Sequence, residues 1–256
     1  MKNTIDLYEE IFISNKEFKG EIVEKHIKKY IEIDNIYPQN LSFFIVINTS
    51  RKSYDFISQN FNTTLGHDIS LMKSEGPKYF LSLFHPDDLP IWLNVSKELM
   101  DFTINKIDRK DRKKLLFTYN FRIRNSKGKY QNILAHLTPI EFDSHGIPVL
   151  AVSHYTIVGE GNYRPIIGGM KMLNKKNVYE TIFYKNYSKE ALSNKVSKRE
   201  IDIIQELALD KSSKEIANRL CISSHTVDQH RRNILKKLNF KSTGELVQYC
   251  KTNNYF

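Results

Sequence analysis

His225, Asp228, Gln229, Arg232 and Lys236 lie three and four residues apart along one short segment, the spacing that lines side chains up on one stripe of a helix. Their chemistry suits the base edges of a major groove. A Gln amide makes a two-point match with adenine, an Arg guanidinium spans O6 and N7 of guanine, and an Asp carboxylate accepts from cytosine N4. Asp228, Gln229, Arg232 and His225 are therefore predicted to face bases. Arg231, Lys236, Lys237 and Lys214, with the hydroxyls of Ser223 and Thr226, are predicted to meet phosphates, which set affinity and orientation rather than sequence. A basic helix face alone is more often plain solvated surface, so the supporting elements decide.

Those elements are marked by their caps. Ser197 to Glu200, Ser212 to Glu215 and Ser242 to Glu245 are three S-x-x-E sets, each ahead of apolar residues at helical spacing, and each predicts a capping box. Ser223 is placed to cap a fourth helix. The result is four helices near 198–208, 213–220, 224–238 and 243–251. Only CIS separates the second from the third, the short turn of a helix-turn-helix. Ile201, Ile204, Leu207, Ile216, Ala217, Leu220, Ile222, Val227, Ile234, Leu238, Leu246 and Val247 form the expected core.

The runs SKREIDII, SSKEIANRL, ISSHTVDQHRRNILKKL and GELVQY resemble the LuxR-type DNA-binding domain of bacterial regulators, over about the last 62 residues. The resemblance implies a four-helix domain whose third helix enters the major groove, usually as a dimer, with base-reading positions at Asp228, Gln229 and Arg232. Two positions depart from the pattern. Asp228 stands where a basic residue is usual, so a preferred site cannot be carried over from a relative. Cys221 stands where Gly is common, which raises the question of a left-handed backbone held by a non-Gly residue. A tight, partly buried turn is the expected setting of Cys221, in preference to a redox switch.

Upstream, residues 1–35 read as helix, with an interruption at Gly20. LSFFIVIN and YDFIS read as a strand pair; residues 60–104 read as helical, with Pro86, Asp87 and Asp88 starting a long helix through Trp92, Val95 and Leu99. LLFTYNFRIRN, KYQNILAHLTPIEF and IPVLAVSHYTIV then read as three strands joined by SKGK and DSHG turns. Two strands, a helical crossover and three strands, with HPDDLP and FRIRNSKGKY in place, resemble a PAS domain from about Leu41 to Val158. A ligand pocket in such a domain is expected among Phe44, Trp92, Phe117, Phe121 and Leu134. The competing expectations are a ligand-free dimerisation or protein-interaction module and an autoinducer-type ligand-binding domain. Hairpins argue against a phosphorylated receiver domain, which needs alternating parallel strands and helices.

The fold class expected is α+β: an antiparallel-sheet PAS-like domain followed by an all-α four-helix helix-turn-helix domain. The boundaries are 1–40 for a helical leader, 41–158 for the PAS-like domain, 159–195 for a linker in which VYETIFYKN adds one strand, and 196–256 for the DNA-binding domain. KIDRKDRKK, from Lys106 to Lys114, is expected to be a solvated loop.

Charge agrees with this division. The chain carries 39 Lys and Arg against 29 Asp and Glu, a formal +10. Residues 195–256 hold 12 basic and 7 acidic residues, so half the excess lies in a quarter of the length. A basic excess suits nucleic acid or an anionic membrane surface. The longest apolar run, Phe43 to Ile47, is far below the roughly 20 residues of a membrane helix, and no signal-peptide apolar region opens the chain. Two cysteines, Cys221 and Cys250, are too few for a disulfide framework, and the chain is read as cytoplasmic. With no cysteine in residues 1–220, thiol-dependent flavin photochemistry is opposed. GxSxG, HExxH and Walker-type motifs are absent, so no enzyme and no cofactor is expected. His136, His145 and His154 fall on strands and a turn rather than converging on a metal, and His85 is expected to fix a turn. RNA is disfavoured for want of an aromatic stacking platform. The partners expected are double-stranded DNA, a second copy of the chain and an unidentified small molecule.

Overall fold

The computed structural model describes residues 4–11, 21–160, 166–187 and 195–252. The chain divides into two units, Met1–Asn186 and Tyr187–Phe256.

In the first unit, helices α1 (Thr4–Ile11) and α2 (Glu21–Ile36) precede strands β1 (Ser42–Asn48) and β2 (Ser53–Ile57). Gly20, where the helix break is expected, lies outside the described residues. Short helices α3 (Asn60–Leu65), α4 (Ile69–Glu75) and α5 (Pro77–Ser82) lead to the long α6 (Asp88–Lys106), then to β3 (Leu115–Arg124), β4 (Tyr130–Phe142) and β5 (Pro148–Glu160). Two more strands follow, β6 (Ile167–Leu173) and β7 (Tyr179–Asn186), and all seven form one antiparallel sheet in the order β2-β1-β5-β4-β3-β6-β7. This is the PAS-like arrangement: a strand pair, a helical crossover and a three-strand meander, extended at one edge.

Strict alternation builds the two faces. Leu115, Phe117, Tyr119, Phe121 and Ile123 of β3 are buried while the residues between them are not. A period of two places one set under α6, which returns Trp92, Val95, Ser96, Leu99 and Thr103 at helical spacing. α2 covers the other face, packing Val23, Ile27 and Tyr30 on Val46, Phe56, Ile140 and Leu150. The run Phe43–Val46 is thus buried on both sides. α6 is anchored at its start, where Asp88 accepts from the backbone N–H and side chain of Arg122. His85 fixes this turn by accepting the Asp87 N–H at 3.2 Å.

Two sequence expectations change. The linker holds two strands, not one: Gly168 and Gly169 carry turn chemistry in the sequence, yet both sit inside β6, opposite Tyr119 and Thr118. A Cβ on Gly169 would come within 2.6 Å of the Thr118 hydroxyl, so glycine here permits close approach of two strands. The basic stretch is also more than a solvated loop. Residues Arg109–Lys114 form a 3₁₀ helix, and Arg112 is buried, donating to the carbonyls of Ile104, Ile107 and Gly146. A guanidinium has five donors and so closes three carbonyls at once.

The second unit contains α7 (Lys198–Ala208), α8 (Ser213–Leu220), α9 (Ser224–Leu238) and α10 (Thr243–Thr252). Its core is Ile203, Ile204, Leu207, Ile216, Ala217, Val227, Ile234, Leu246, Tyr249 and Cys250. Ile201, Leu220, Ile222, Leu238 and Val247 of the expected set are only half-buried. In a domain this small much apolar surface stays at the rim.

Candidate nucleic-acid interface and interior cavity

Each helix of the second unit starts where its serine predicts. Ser197 accepts from the Glu200 N–H and Ser212 from the Glu215 N–H, and each glutamate accepts from its own cap's N–H, so both capping boxes are closed. Ser223 accepts the Thr226 N–H at 3.0 Å. Ser242 accepts the Glu245 N–H at 3.1 Å, while the Glu245 carboxylate reaches one residue further back, to the Lys241 N–H.

Cys221 closes α8 at φ 53°, ψ 46°, a left-handed conformation held by a non-Gly residue, and Ile222 donates to the Ala217 carbonyl. Its side chain is exposed, not partly buried as expected. The neighbouring Leu220 carbonyl accepts from Arg199 of α7, which ties the turn to the domain.

α9 buries Val227 and Ile234. On the opposite side His225, Gln229, Arg232 and Lys236 are exposed at steps of four, three and four. Arg232 donates to Gln229 Oε1 at 2.7 Å, and Gln229 donates to Asn233 Oδ1 at 3.2 Å, so two polar groups of the stripe are already chained to Asn233 beside it. Exposed contacts of this kind are weak and exchange readily. Asn233 was missed in the sequence because it lies off the strict stripe; its i+4 spacing from Gln229 was the available signal.

The remaining candidates divide. Lys214 and Ser223 are exposed, and Thr226 is half-buried with its hydroxyl 2.8 Å from that of Ser223. Asp228, Arg231 and Lys237 are committed elsewhere. Ser213 of α8 donates to Asp228 at 2.6 Å, while Arg231 donates to Ser213 and to Thr243 of α10, pinning three helices at one point. Lys237 donates to both oxygens of the buried Glu200 at 2.8 Å. Burial pushes the Glu200 carboxyl up, but the bonds from Lys237 and Ser197 outweigh it and leave its pKa below the usual carboxylate value.

In the first unit a cavity lies between the sheet and α6, roofed by Tyr8 of α1. Trp92 and Phe117 line it. Phe121 is in the same aromatic cluster, 4.3 Å from the Phe84 ring and 6.4 Å from Trp92, but outside the lining. Phe44 and Leu134 are corrected: the pairings of Phe43 with Tyr155 and of Ala135 with Tyr155 put those residues on the inner face, and their neighbours Phe44 and Leu134 on the other. Phe44 packs on Tyr30 and Tyr37 instead. Among the described residues no group of three or more His, Cys, Asp or Glu could hold a metal ion, and no helix is long and apolar enough to cross a membrane.

With this geometry in view, the family model described as bacterial regulatory proteins, luxR family, matches residues 194–250. The C-terminal unit is a LuxR-family domain. The chain is 46% identical over 55 residues to the oxygen regulatory protein NreC of Staphylococcus carnosus, covering 22% of this chain and 25% of that one. It is 46% identical over 54 residues to the transcriptional regulatory protein TdiR of Thauera aromatica, covering 21% and 24%. The chain thus spans about a quarter of the length of these curated relatives. Among solved structures, a sensory box histidine kinase/response regulator from Burkholderia thailandensis covers 52% of this chain and 85% of its own, at TM-score 0.34 and 16% identity. A Vibrio cholerae VqmA dimer covers 89% and 88%, at TM-score 0.29 and 11% identity.

Proposed function

We propose that this chain is a bacterial sequence-specific transcription regulator, in which the PAS-like domain senses a small molecule or partner and sets the geometry with which a cytoplasmic homodimer binds double-stranded DNA. The observation that carries the reading is the exposed stripe His225, Gln229, Arg232 and Lys236 on a helix capped at Ser223, in a LuxR-family domain. Gln229, Arg232 and His225 read bases, while Lys236, Lys214, Ser223 and Thr226 meet phosphates. Asp228 accepts from a base only after exchanging its bond with Ser213, and Arg231 and Lys237 likewise reach phosphate only by leaving their present partners. Two copies place their recognition helices about 34 Å apart, one turn of duplex.

Footprinting of the full chain on fragments from its own genomic neighbourhood, with light scattering on the free protein, tests this. A protected pair of half-sites one helical turn apart and a dimer are expected. Equal affinity for all duplexes, or a monomer that protects DNA, would overturn it.

A further inference from the structure

The sheet carries a second hollow, on the face away from α6. α2 covers that face over Val46, Phe56, Ile140 and Leu150, and beyond it, over β3, β4 and β6, lies a depression of about 360 Å³. Its floor comes from residues that alternate with the inward set: Thr118 and Asn120 of β3 and Asn132 and Leu134 of β4, flanked by Val158 of β5 and Ile167 of β6. That volume lies within the range of about 300–1,000 Å³ found for ligand pockets. The inner cavity, at about 60 Å³, is well below the roughly 150 Å³ that takes benzene.

Asn132 gives the depression its chemistry. It is 4% exposed, and among the described residues its carboxamide has no hydrogen-bond partner. The other buried carboxamides are engaged: Asn48 donates to Asp55, Asn60 to the Pro38 carbonyl and Gln131 to Glu160. Nor is Asn132 sealed in as Trp92 Nε1 and Ser96 Oγ are, for it stands in the wall of the depression. A buried amide left unpaired costs free energy, and this one offers an N–H donor beside a carbonyl acceptor. Asn120 is committed to the Ile167 N–H at 2.7 Å, which holds β6 at the rim. Leu134, Val158 and Ile167 supply apolar wall, and no described lining residue is charged.

We infer that this depression binds a small neutral molecule that presents a carboxamide edge, acceptor beside donor, to Asn132 and an apolar face to Leu134, Val158 and Ile167. The inference rests on the sensing role proposed above for its biological use, and moves that role from the inner cavity to the outer face of the sheet. A charged ligand finds no counter-charge on this wall to offset its desolvation.

Benzamide is the probe, titrated into the full chain while backbone and side-chain amide shifts are recorded; acetophenone, of nearly the same shape, lacks the donor. Benzamide should move the Asn132 side-chain amide and the backbone amides of Thr118, Leu134 and Val158 saturably, with acetophenone about five- to tenfold weaker. The emission of Trp92, the one tryptophan of the chain, should not change, because the inner cavity is too small for the probe. Asn132→Leu removes donor and acceptor at nearly constant volume. It should weaken benzamide about tenfold or more without lowering the melting temperature, since no bond made in the free protein is lost. The absence of any saturable change overturns the inference, as does equal binding of the two probes or a response centred on Trp92. Shifts at these positions that follow protein concentration in place of benzamide overturn it too, by showing the face covered by a second copy. Benzamide bound as described by a chain with no affinity for duplex DNA upholds the site and refutes the regulator reading above.

Discussion

Lys237→Met isolates the ion pair that joins α9 to α7. The Glu200 side chain is 3% exposed and that of Lys237 is 47% exposed, so the substitution strands a buried carboxylate while removing a half-exposed ammonium. Losing one partner of a fully buried pair costs about 3–5 kcal/mol. Because water already reaches Lys237, two charge-assisted bonds to a single ammonium put the cost nearer 2–3 kcal/mol. For a domain of this size that is a drop of roughly 10–20 °C in melting temperature. The pH dependence carries a sign. In the wild type the lowered Glu200 pKa contributes stability that is present above the unfolded value of about 4.3 and lost as pH falls through the folded one. In the variant, burial outweighs the remaining Ser197 bonds and the folded pKa rises above the unfolded value, so the penalty is largest at neutral pH and shrinks toward pH 4.3. Urea denaturation followed by far-ultraviolet circular dichroism measures the cost, and Trp92 emission follows the PAS-like domain separately. Its midpoint should not move. A gap of less than about 0.5 kcal/mol at neutral pH, or one that stays constant on acidification, would refute the reasoning.

Arg232→Ala should relax preference at one base pair, costing about 1–3 kcal/mol on the specific site only, while Lys236→Ala should weaken every duplex and lower the salt slope by about one; competition binding at several salt concentrations separates the two. Arg112→Met leaves the carbonyls of Ile104, Ile107 and Gly146 unpaired in place of their buried donor, and should lower the stability of the PAS-like domain by about 2–4 kcal/mol, read from Trp92 emission in urea. In the folded chain a thiol reagent should label exposed Cys221 alone, because Cys250 is 2% exposed and burial pushes its thiol up to about 11; two labels per folded chain would contradict the packing of α10. Cys221→Gly should stabilise the C-terminal domain by about 0.5–1 kcal/mol by relieving the left-handed backbone, measured by circular dichroism in urea.

What the sequence made legible was local. Serine caps act within one turn, so all four helix starts of the LuxR-family domain could be placed from Ser197, Ser212, Ser223 and Ser242. The SKGK and DSHG turns likewise marked off β3, β4 and β5. The misses are non-local. Asp228 and Arg231 lie at helical spacing beside the exposed stripe, and nothing near them in sequence shows that Ser213 and Thr243 engage them. Phe44 was assigned to the wrong face because α2 buries the far side of β1 as well, leaving no polar residue to mark the alternation. Gly168 and Gly169 resembled a turn because close approach to Thr118 comes from a strand some fifty residues earlier. Arg112 stands in a run of solvated lysines and arginines, and nothing in that run shows that its guanidinium reaches back to the Ile104 and Ile107 carbonyls and across to that of Gly146.

The central claim is that the stripe on α9 enters duplex DNA, and backbone amide chemical shifts of the full chain, recorded while a footprinted duplex is titrated in, test it most directly. The account predicts the largest changes at His225, Gln229, Arg232 and Lys236, with Val227 and Ile234 moved less. Changes concentrated on the basic Arg109–Lys114 segment, with the α9 stripe unmoved, would contradict it.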